Sequence, residues 1–159
     1  MSDTDRVKHV LIATDGSVGS QEAVVEGVRL AKLLDAEVIF IAVARPPLPV
    51  LGDPYYQRAL TENLSEMRAA LARAIPVAEE RRVPYETELL EGSAAGRIVE
   101  LARSRGVELI VVGSRGLGAV TGTLLGSVSA AVVHEADRPV LVVRPRDRAR
   151  RHELEGVAV

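Results

Sequence analysis

The chain contains no cysteine, no tryptophan and very few aromatic residues of any kind. The absence of cysteine excludes a disulfide framework, a thiolate nucleophile and a cysteine-ligated zinc site. Aromatic residues make up 3% of the 159 residues, fewer than expected for a protein that stacks single-stranded bases on aromatic side chains. The formal net charge of −2 gives no general attraction to nucleic acid or to an anionic membrane. We therefore expect neither as a partner.

Long apolar runs and lysine are also scarce. No apolar run approaches the ~18 residues that a membrane-spanning helix needs, and the polar N-terminus does not resemble a secretory signal. No lysine follows Lys32, so the lysine of a Walker-type phosphate loop is missing. We expect a single cytoplasmic domain over residues 1–159, with its core in 7–145 and a charged, loosely held tail in 146–159.

Strand-like and helix-like segments alternate along the sequence. Four short apolar runs are typical of strands: residues 7–14, 37–43, 108–112 and 139–144. The uninterrupted apolar core of the first run, residues 10–13, suits a strand buried on both faces. A fifth run, 84–90, alternates apolar and polar residues, which favours a strand at a sheet edge. Helical spacing of apolar residues predicts four helices between the strands, beginning near Ser17, Gln57, Ser93 and Ser127. The order predicts an α/β fold with a mostly parallel sheet and helices on both faces.

Two stretches are expected to depart from this regular pattern. Residues 45–56 hold four prolines and a glycine, so we expect no regular structure there. Since this segment leaves the second strand at its carboxyl end, we expect it to border a ligand pocket and to be mobile. Pro76 lies inside the second helical segment and should kink or split that helix.

Glycine is concentrated between the fourth strand and the last helix, at positions 113, 116, 118, 122 and 126. Such a loop lets backbone N–H groups approach a ligand, and the helix start that follows adds further N–H groups and a favourable dipole. This is typical of a phosphate site, to which Arg115 could add a cation or from which it could point into solvent. The alternative is a loop that merely connects tightly packed elements. The spacing fits neither GxxxxGK[ST] nor GxGxxG.

A second loop with ligand-type chemistry, residues 14–17, follows the first strand. Asp15 could accept hydrogen bonds from ribose hydroxyls or hold a metal through water, or it could form a local Asx turn or cap the helix. Val43 could bind an adenine edge through its backbone, or it could be an ordinary strand residue. If strands one and four are neighbours, both loops face one crevice at the carboxyl edge. No histidine has a partner pattern that indicates catalysis, so we predict no catalytic residue.

Taken together, these residues resemble the universal stress protein family over positions 7–144. The most specific part is similar to the family's nucleotide motif G-x2-G-x9-G-[S/T], with nothing inserted or lost. Its fixed positions are here Gly113, Gly116, Gly126 and Ser127. The Asp15-Gly16-Ser17 loop and the closing run 139–144 also resemble the family's pattern.

The resemblance implies a five-stranded sheet in the order 3-2-1-4-5 and a site for ATP, with Mg²⁺. It implies an adenosine side formed by Ala13, Thr14, Asp15 and Val43. It implies that the ribose and phosphates are surrounded by Gly113, Ser114, Arg115 and Gly116. It implies that the phosphates are also held at the start of the last helix, by Gly126, Ser127, Val128 and Ser129. It also implies a homodimer through the last strand, with Val140, Leu141, Val142 and Val143 at the interface; an apolar terminal strand would otherwise leave an adhesive edge.

The function that we expect is that of a cytoplasmic, homodimeric, ATP-binding regulator of the stress response, with ATP hydrolysis slow at most. The absence of a catalytic lysine or a positioned base supports this expectation. The alternative is a nucleotide hydrolase or nucleotidyl transferase of the same adenine-binding α/β class, in which Asp15 organises a metal. A third possibility is a scaffold that works through protein contacts and binds no nucleotide.

Overall fold

A computed structural model describes residues 6–115 and 125–145 of the chain. Strands and helices alternate as predicted: β1 (His9–Ala13), α1 (Val18–Leu34), β2 (Glu37–Ala44), α2 (Tyr55–Glu80), β3 (Tyr85–Glu91), α3 (Ala94–Ser104), β4 (Leu109–Gly113), α4 (Ser127–Glu135) and β5 (Val140–Val143). The middle of the glycine loop, residues 116–124, and the expected tail, 146–159, lie outside the described residues.

The five strands form one parallel sheet in the order β3-β2-β1-β4-β5, which confirms the predicted topology. β1 lies at the centre: its Ile12 stands opposite Phe40 of β2 on one side and opposite Val111 of β4 on the other. Strands one and four are therefore neighbours. Because they run parallel, the loops that follow them leave the sheet at the same edge, as the sequence predicted.

Helices cover both faces of the sheet, as expected. On one face α1 and α2 pack over Val10 and Ile12 of β1, and on the other α3 and α4 pack over Leu11. All three of these β1 side chains are fully buried. This explains the uninterrupted apolar composition of the central strands, since a parallel sheet covered on both faces has no solvent-facing side.

Helix α1 packs closely against the two central strands at Gly27. A Cβ atom added to Gly27 would stand 2.6 Å from Cδ1 of Ile12 and 3.4 Å from Cγ1 of Val111. The lack of a side chain at this position lets the helix backbone rest on the two central strands. The close approach holds the first turn of α1 beside the carboxyl ends of β1 and β4.

Two sequence expectations about local structure were wrong. Residues 45–56 are not irregular throughout, because Pro49–Leu51 form a 3₁₀ turn and α2 already begins at Tyr55. Pro76 does not split α2, which continues to Glu80. The Pro76 side chain is exposed and lies in the last turns of a helix whose preceding turns bury Met67, Ala70 and Leu71. Packing of those earlier turns holds the helix despite the lost hydrogen bond.

No helix in the described part of the chain is long and apolar enough to cross a membrane.

Residues 45–52 leave β2 at the carboxyl edge of the sheet, the edge at which the two predicted ligand loops begin. Their start is held by α2, since Asn63 Nδ2 donates to the Arg45 carbonyl at 2.9 Å. The mobility expected for this segment stays a prediction.

Candidate functional site

The two ligand loops begin as continuations of the sheet. After β1 ends, the Thr14 N–H still donates to the Ile41 carbonyl at 2.9 Å, and after β4 ends, the Ser114 N–H donates to the Val143 carbonyl at 2.8 Å. Each loop therefore starts from a backbone position fixed by the neighbouring strand. Ala13 and Gly113, the last residues of the two strands, are both half-buried at this edge.

The first loop folds into a tight turn around Asp15. Oδ1 of Asp15 accepts a hydrogen bond from the Ser17 N–H at 2.9 Å, which confirms the local Asx turn. Ser17 is the N-cap of α1, and its Oγ accepts from the Ser20 N–H at 3.2 Å. Gly16 takes a φ of +81°, a value that side chains rarely tolerate. The turn orients the Asp15 carboxylate at the carboxyl edge of the sheet.

Two buried hydroxyl groups lie beneath this turn. Thr14 and Ser20 are 4% and 5% exposed, and their hydroxyl oxygens are 3.3 Å apart. Thr14 Oγ1 accepts from the Gly16 N–H, and Ser20 Oγ accepts from the Asp15 N–H, each at 3.3 Å. Thr14, predicted to line the adenosine, therefore supports the turn with its side chain.

The two described ends of the glycine loop are held together by hydrogen bonds. The Gly126 N–H donates to the Ser114 carbonyl at 2.7 Å, and Ser129 Oγ lies 3.1 Å from that carbonyl and 2.9 Å from the Gly126 carbonyl. Ser129 is 4% exposed. Its hydroxyl group therefore donates to one of these two backbone carbonyls. We call the hydrogen-bonded contact of Ser114, Gly126 and Ser129 the clamp of the loop.

Helix α4 begins at this clamp, and its first three N–H groups take no part in the hydrogen bonds of the helix. Gly126 is its N-cap and supplies no side-chain acceptor, and the first backbone bond of the helix runs from the Ala130 N–H to the Gly126 carbonyl at 2.9 Å. The N–H groups of Ser127, Val128 and Ser129 precede that bond and have no acceptor within the helix. Ser127 is exposed. Three N–H groups, a hydroxyl and the positive end of the helix dipole suit an anion.

The two loops touch each other through backbone atoms. A Cβ atom added to Gly19 would lie 2.4 Å from the Arg115 carbonyl oxygen, and one added to Gly113 would lie 2.7 Å from the Gly19 carbonyl oxygen. The first turn of α1 is therefore in direct contact with the residues that follow β4. Arg115 itself is half-buried beside this contact.

Val43 presents its backbone toward the crevice between β2 and β1. Ile41 faces β1, because its carbonyl accepts from Thr14, and Ala44 faces β3, because its carbonyl accepts from Gly92. Backbone direction alternates along a strand, so the N–H and C=O of Val43 point the same way as those of Ile41. Within the described residues the ladder between β1 and β2 ends at the bond from Thr14 to Ile41. Val43 thus offers a donor and an acceptor just beyond it.

The structure brings together nearly all of the predicted site residues at one edge of the sheet. Gly116 lies outside the described residues. Sequence reasoning missed Gly19, which no motif marked, and Arg73, whose Nη2 would stand 2.1 Å from a Cβ atom added to Gly16. Within residues 6–115 and 125–145, no group of three or more His, Cys, Asp or Glu residues is placed to hold a metal ion.

Comparison with known proteins gives a consistent set of similarities. A family model described as the universal stress protein family matches residues 6–144. A curated universal stress protein of Methanocaldococcus jannaschii is 39% identical over 142 residues, which cover 86% of this chain and 82% of that protein.

Two solved structures are similar in both fold and sequence. Universal stress protein UspA from Lactobacillus plantarum has a TM-score of 0.78 and 26% identity, over 87% of this chain and 99% of its own. A universal stress protein solved in complex with cAMP has a TM-score of 0.67 and 28% identity, over 88% and 98%.

The contact between Gly19 and Gly113 should tolerate no side chain. We expect Gly113→Ala to lower the free energy of unfolding by about 1–3 kcal/mol, because the new methyl group meets backbone that cannot rotate away. Denaturant unfolding followed by circular dichroism measures the change. Gly96→Ala is the matched control, since a Cβ atom there would come no closer than 3.7 Å to its neighbours and Ala is favoured in a helix. Equal stability of wild type and Gly113→Ala would contradict the close contact.

Proposed function

The chain belongs to the universal stress protein family, and from this premise we propose that it binds an adenine nucleotide, ATP with Mg²⁺, at the carboxyl edge of its sheet. The observation that carries the proposal is the convergence of two unlike loops on one crevice. One loop carries the oriented Asp15 carboxylate, and the other leads into a helix start whose first N–H groups have no acceptor within the helix. A nucleotide is the ligand class that needs both, because it joins ribose hydroxyls to anionic phosphates.

The phosphates are assigned to the glycine loop and the start of α4. The N–H groups of Ser127, Val128 and Ser129, together with the exposed Ser127 hydroxyl, supply donors for phosphate oxygens. The Ser129 side chain acts indirectly, since it supports the bond from the Gly126 N–H to the Ser114 carbonyl by donating to the Ser114 or the Gly126 carbonyl. Gly113, Ser114, Arg115 and Gly116 are assigned to the ribose and phosphates by the motif.

The adenosine is assigned to the edge formed by β1 and β2. Asp15 accepts ribose hydroxyls in this assignment, with Ala13 and Thr14 as the adjoining wall. The N–H and C=O of Val43 match the donor and acceptor atoms on an adenine edge, and they point into the crevice. The relative solved with cAMP contains an adenine nucleotide, which favours this ligand class over other phosphate compounds.

Magnesium fits this site as part of the nucleotide complex. Mg²⁺ is usually held by one or two carboxylates together with substrate phosphates and water, and Asp15 supplies one carboxylate at the edge of the crevice. A dedicated cage of protein ligands is not needed. When bound, the ion neutralises phosphate charge; the chain's own contribution is to hold the nucleotide in place.

The biological role proposed is nucleotide-dependent regulation in the cytoplasm during stress, with slow hydrolysis at most. In the described residues the histidines stand away from the glycine loop: His9 begins β1 at the opposite edge of the sheet, and His134 lies in the last turn of α4. The protein is proposed to act as a homodimer through β5. Val140, Leu141, Val142 and Val143 are each half-buried in the single chain, so a second copy could cover them.

Titration calorimetry with Mg-ATP tests nucleotide binding directly. Wild type should bind. Gly126→Val should weaken binding at least about tenfold while the protein stays folded. The reason is that a Cβ atom at this position would lie 3.3 Å from the Ser114 carbonyl oxygen, so that the side chain would disturb the clamp. Bulky replacement of Gly116 should act similarly. Gly96→Val, on α3, is the control and should bind like wild type. A folded wild type that gives no heat with ATP, AMP or cAMP would rule the proposal out.

A turnover assay separates the regulator from an enzyme. We expect the wild-type protein to release phosphate from ATP well below ~1 s⁻¹, the low end of ordinary enzyme rates. Asp15→Ala serves as the reference for contaminating hydrolysis. Turnover near ~1 s⁻¹ that disappears in Asp15→Ala would instead favour a hydrolase.

Sedimentation equilibrium tests the proposed dimer. Wild type should behave as a dimer, and Val142→Glu should raise the dissociation constant at least about tenfold, because it places a charge in an apolar interface. Val50→Glu is the control. Val50 is 86% exposed and lies in the 3₁₀ turn after β2, away from β5, so this variant should leave the dimer intact. A monomeric wild type at tens of micromolar would argue against assembly through β5.

A further inference from the structure

Ser20 is a buried polar residue that lies beneath the first ligand loop. It is 5% exposed, and its hydroxyl oxygen takes part in three polar contacts. Ser20 Oγ donates to the Ser17 carbonyl at 3.0 Å, accepts from the Asp15 N–H at 3.3 Å, and lies 3.3 Å from Thr14 Oγ1. A residue that merely capped the helix would not need the second and third contacts.

The direction of these hydrogen bonds follows from the chemistry of a hydroxyl group. A serine hydroxyl has one proton and two lone pairs. Because the proton goes to the Ser17 carbonyl, both lone pairs accept, one from the Asp15 N–H and the other from the Thr14 hydroxyl. Thr14 Oγ1 in turn accepts from the Gly16 N–H. The bonding capacity of Ser20 is therefore fully used within the loop.

Two hydrogen bonds that hold Asp15 are linked to Ser20. The Asp15 backbone N–H is held by Ser20 Oγ directly. The Asp15 carboxylate is held by the Ser17 N–H, and Ser17 is fixed to Ser20 by two bonds, from the Ser20 N–H to Ser17 Oγ at 3.2 Å and from Ser20 Oγ to the Ser17 carbonyl. Removing the Ser20 hydroxyl would release the Asp15 N–H and would remove one of the two bonds that fix Ser17 to Ser20, so that the Asp15 turn is held less firmly.

We propose that Ser20 is the positioning residue for Asp15 and thereby sets the preference of the site for ribose over deoxyribose. This inference depends on the proposed nucleotide function. Ser20 touches no ligand in this scheme; it acts by holding the carboxylate where a ribose hydroxyl can donate to it. A hydrogen bond to a charged acceptor corresponds to about a tenfold or greater difference in affinity, and that difference exists only while the carboxylate is held in place.

The experiment compares affinities for ATP, 2′-deoxy-ATP and 3′-deoxy-ATP by calorimetry. Wild type should favour ATP at least about tenfold over one of the deoxy analogues. Ser20→Ala should reduce that ratio to about the value of Asp15→Asn, which keeps the acceptor of the turn but removes the charge. The double variant should be no worse than Asp15→Asn alone, because both changes remove the same interaction. Ser20→Thr, which retains the hydroxyl, should restore the ratio.

Ser104→Ala is the matched control. Ser104 Oγ donates to the Leu101 carbonyl three residues earlier at 3.1 Å, as Ser20 Oγ does to Ser17, but at the end of α3 and at the opposite edge of the sheet. This variant loses the same kind of bond and should keep the wild-type ratio. A general loss of helix stability is thereby separated from a loss of ribose selectivity.

Each outcome decides between the alternatives. An unchanged ratio in Ser20→Ala, or a wild type that binds ATP and both deoxy analogues equally, would overturn the inference while leaving nucleotide binding intact. A wild type that binds no nucleotide would overturn the proposed function itself. If Ser20→Ala fails to fold, hydrogen exchange of the Asp15 amide is measured in the wild-type protein instead. The Asp15 N–H should exchange at least about tenfold more slowly than in an unstructured peptide. Exchange at the rate of an unstructured peptide would overturn the proposal.

Discussion

The parallel pairing of β1 with β4 is the contact on which the candidate site depends. It places two loops of different chemistry side by side, although about a hundred residues of sequence separate them. The pairing is supported from one face by α1, which rests on both strands because Gly27 has no side chain between them. The same helix carries Ser17 and Ser20 at its start. The shape of the crevice therefore depends on the strand order, on the distance between α1 and the sheet, and on the conformation of the two loops. A change in any of these would alter it.

Much of this site consists of backbone groups that small side chains hold in place. Ser20 fixes the Asp15 turn, and Ser129 closes the two ends of the glycine loop. For Asp15, the sequence left a local role and a ligand role as alternatives. The structure shows why they are compatible: the turn that consumes one carboxylate oxygen is the feature that orients the group. Preorganised donors and acceptors of this kind lose little conformational entropy when a ligand binds.

The topology could be predicted from the sequence because it depends on patterns that extend over many residues. Alternating apolar runs and helical segments indicated the α/β class, and the motif at Gly113 and Gly126 predicted a ligand site between β4 and α4. Details that depend on tertiary packing could not be predicted. Pro76 was expected to kink or split α2, and the helix is not split there, because the packing of Met67 and Leu71 holds its preceding turns in place. Gly19 carries no sequence signal, since its role is visible only when the strand ends are brought together in space.

The contact between Gly19 and Gly113 has a consequence for how this chain can change. A crowded contact between two side chains can be relieved by a second substitution, in which one side chain shrinks as the other grows. Here both residues already lack a side chain: a side chain at Gly113 would meet the Gly19 carbonyl, and one at Gly19 would meet the Arg115 carbonyl. No replacement at either position can make room for growth at the other. The chain can accumulate changes on its outer helix surfaces, whereas this pair leaves no compensating route short of moving α1 away from the sheet.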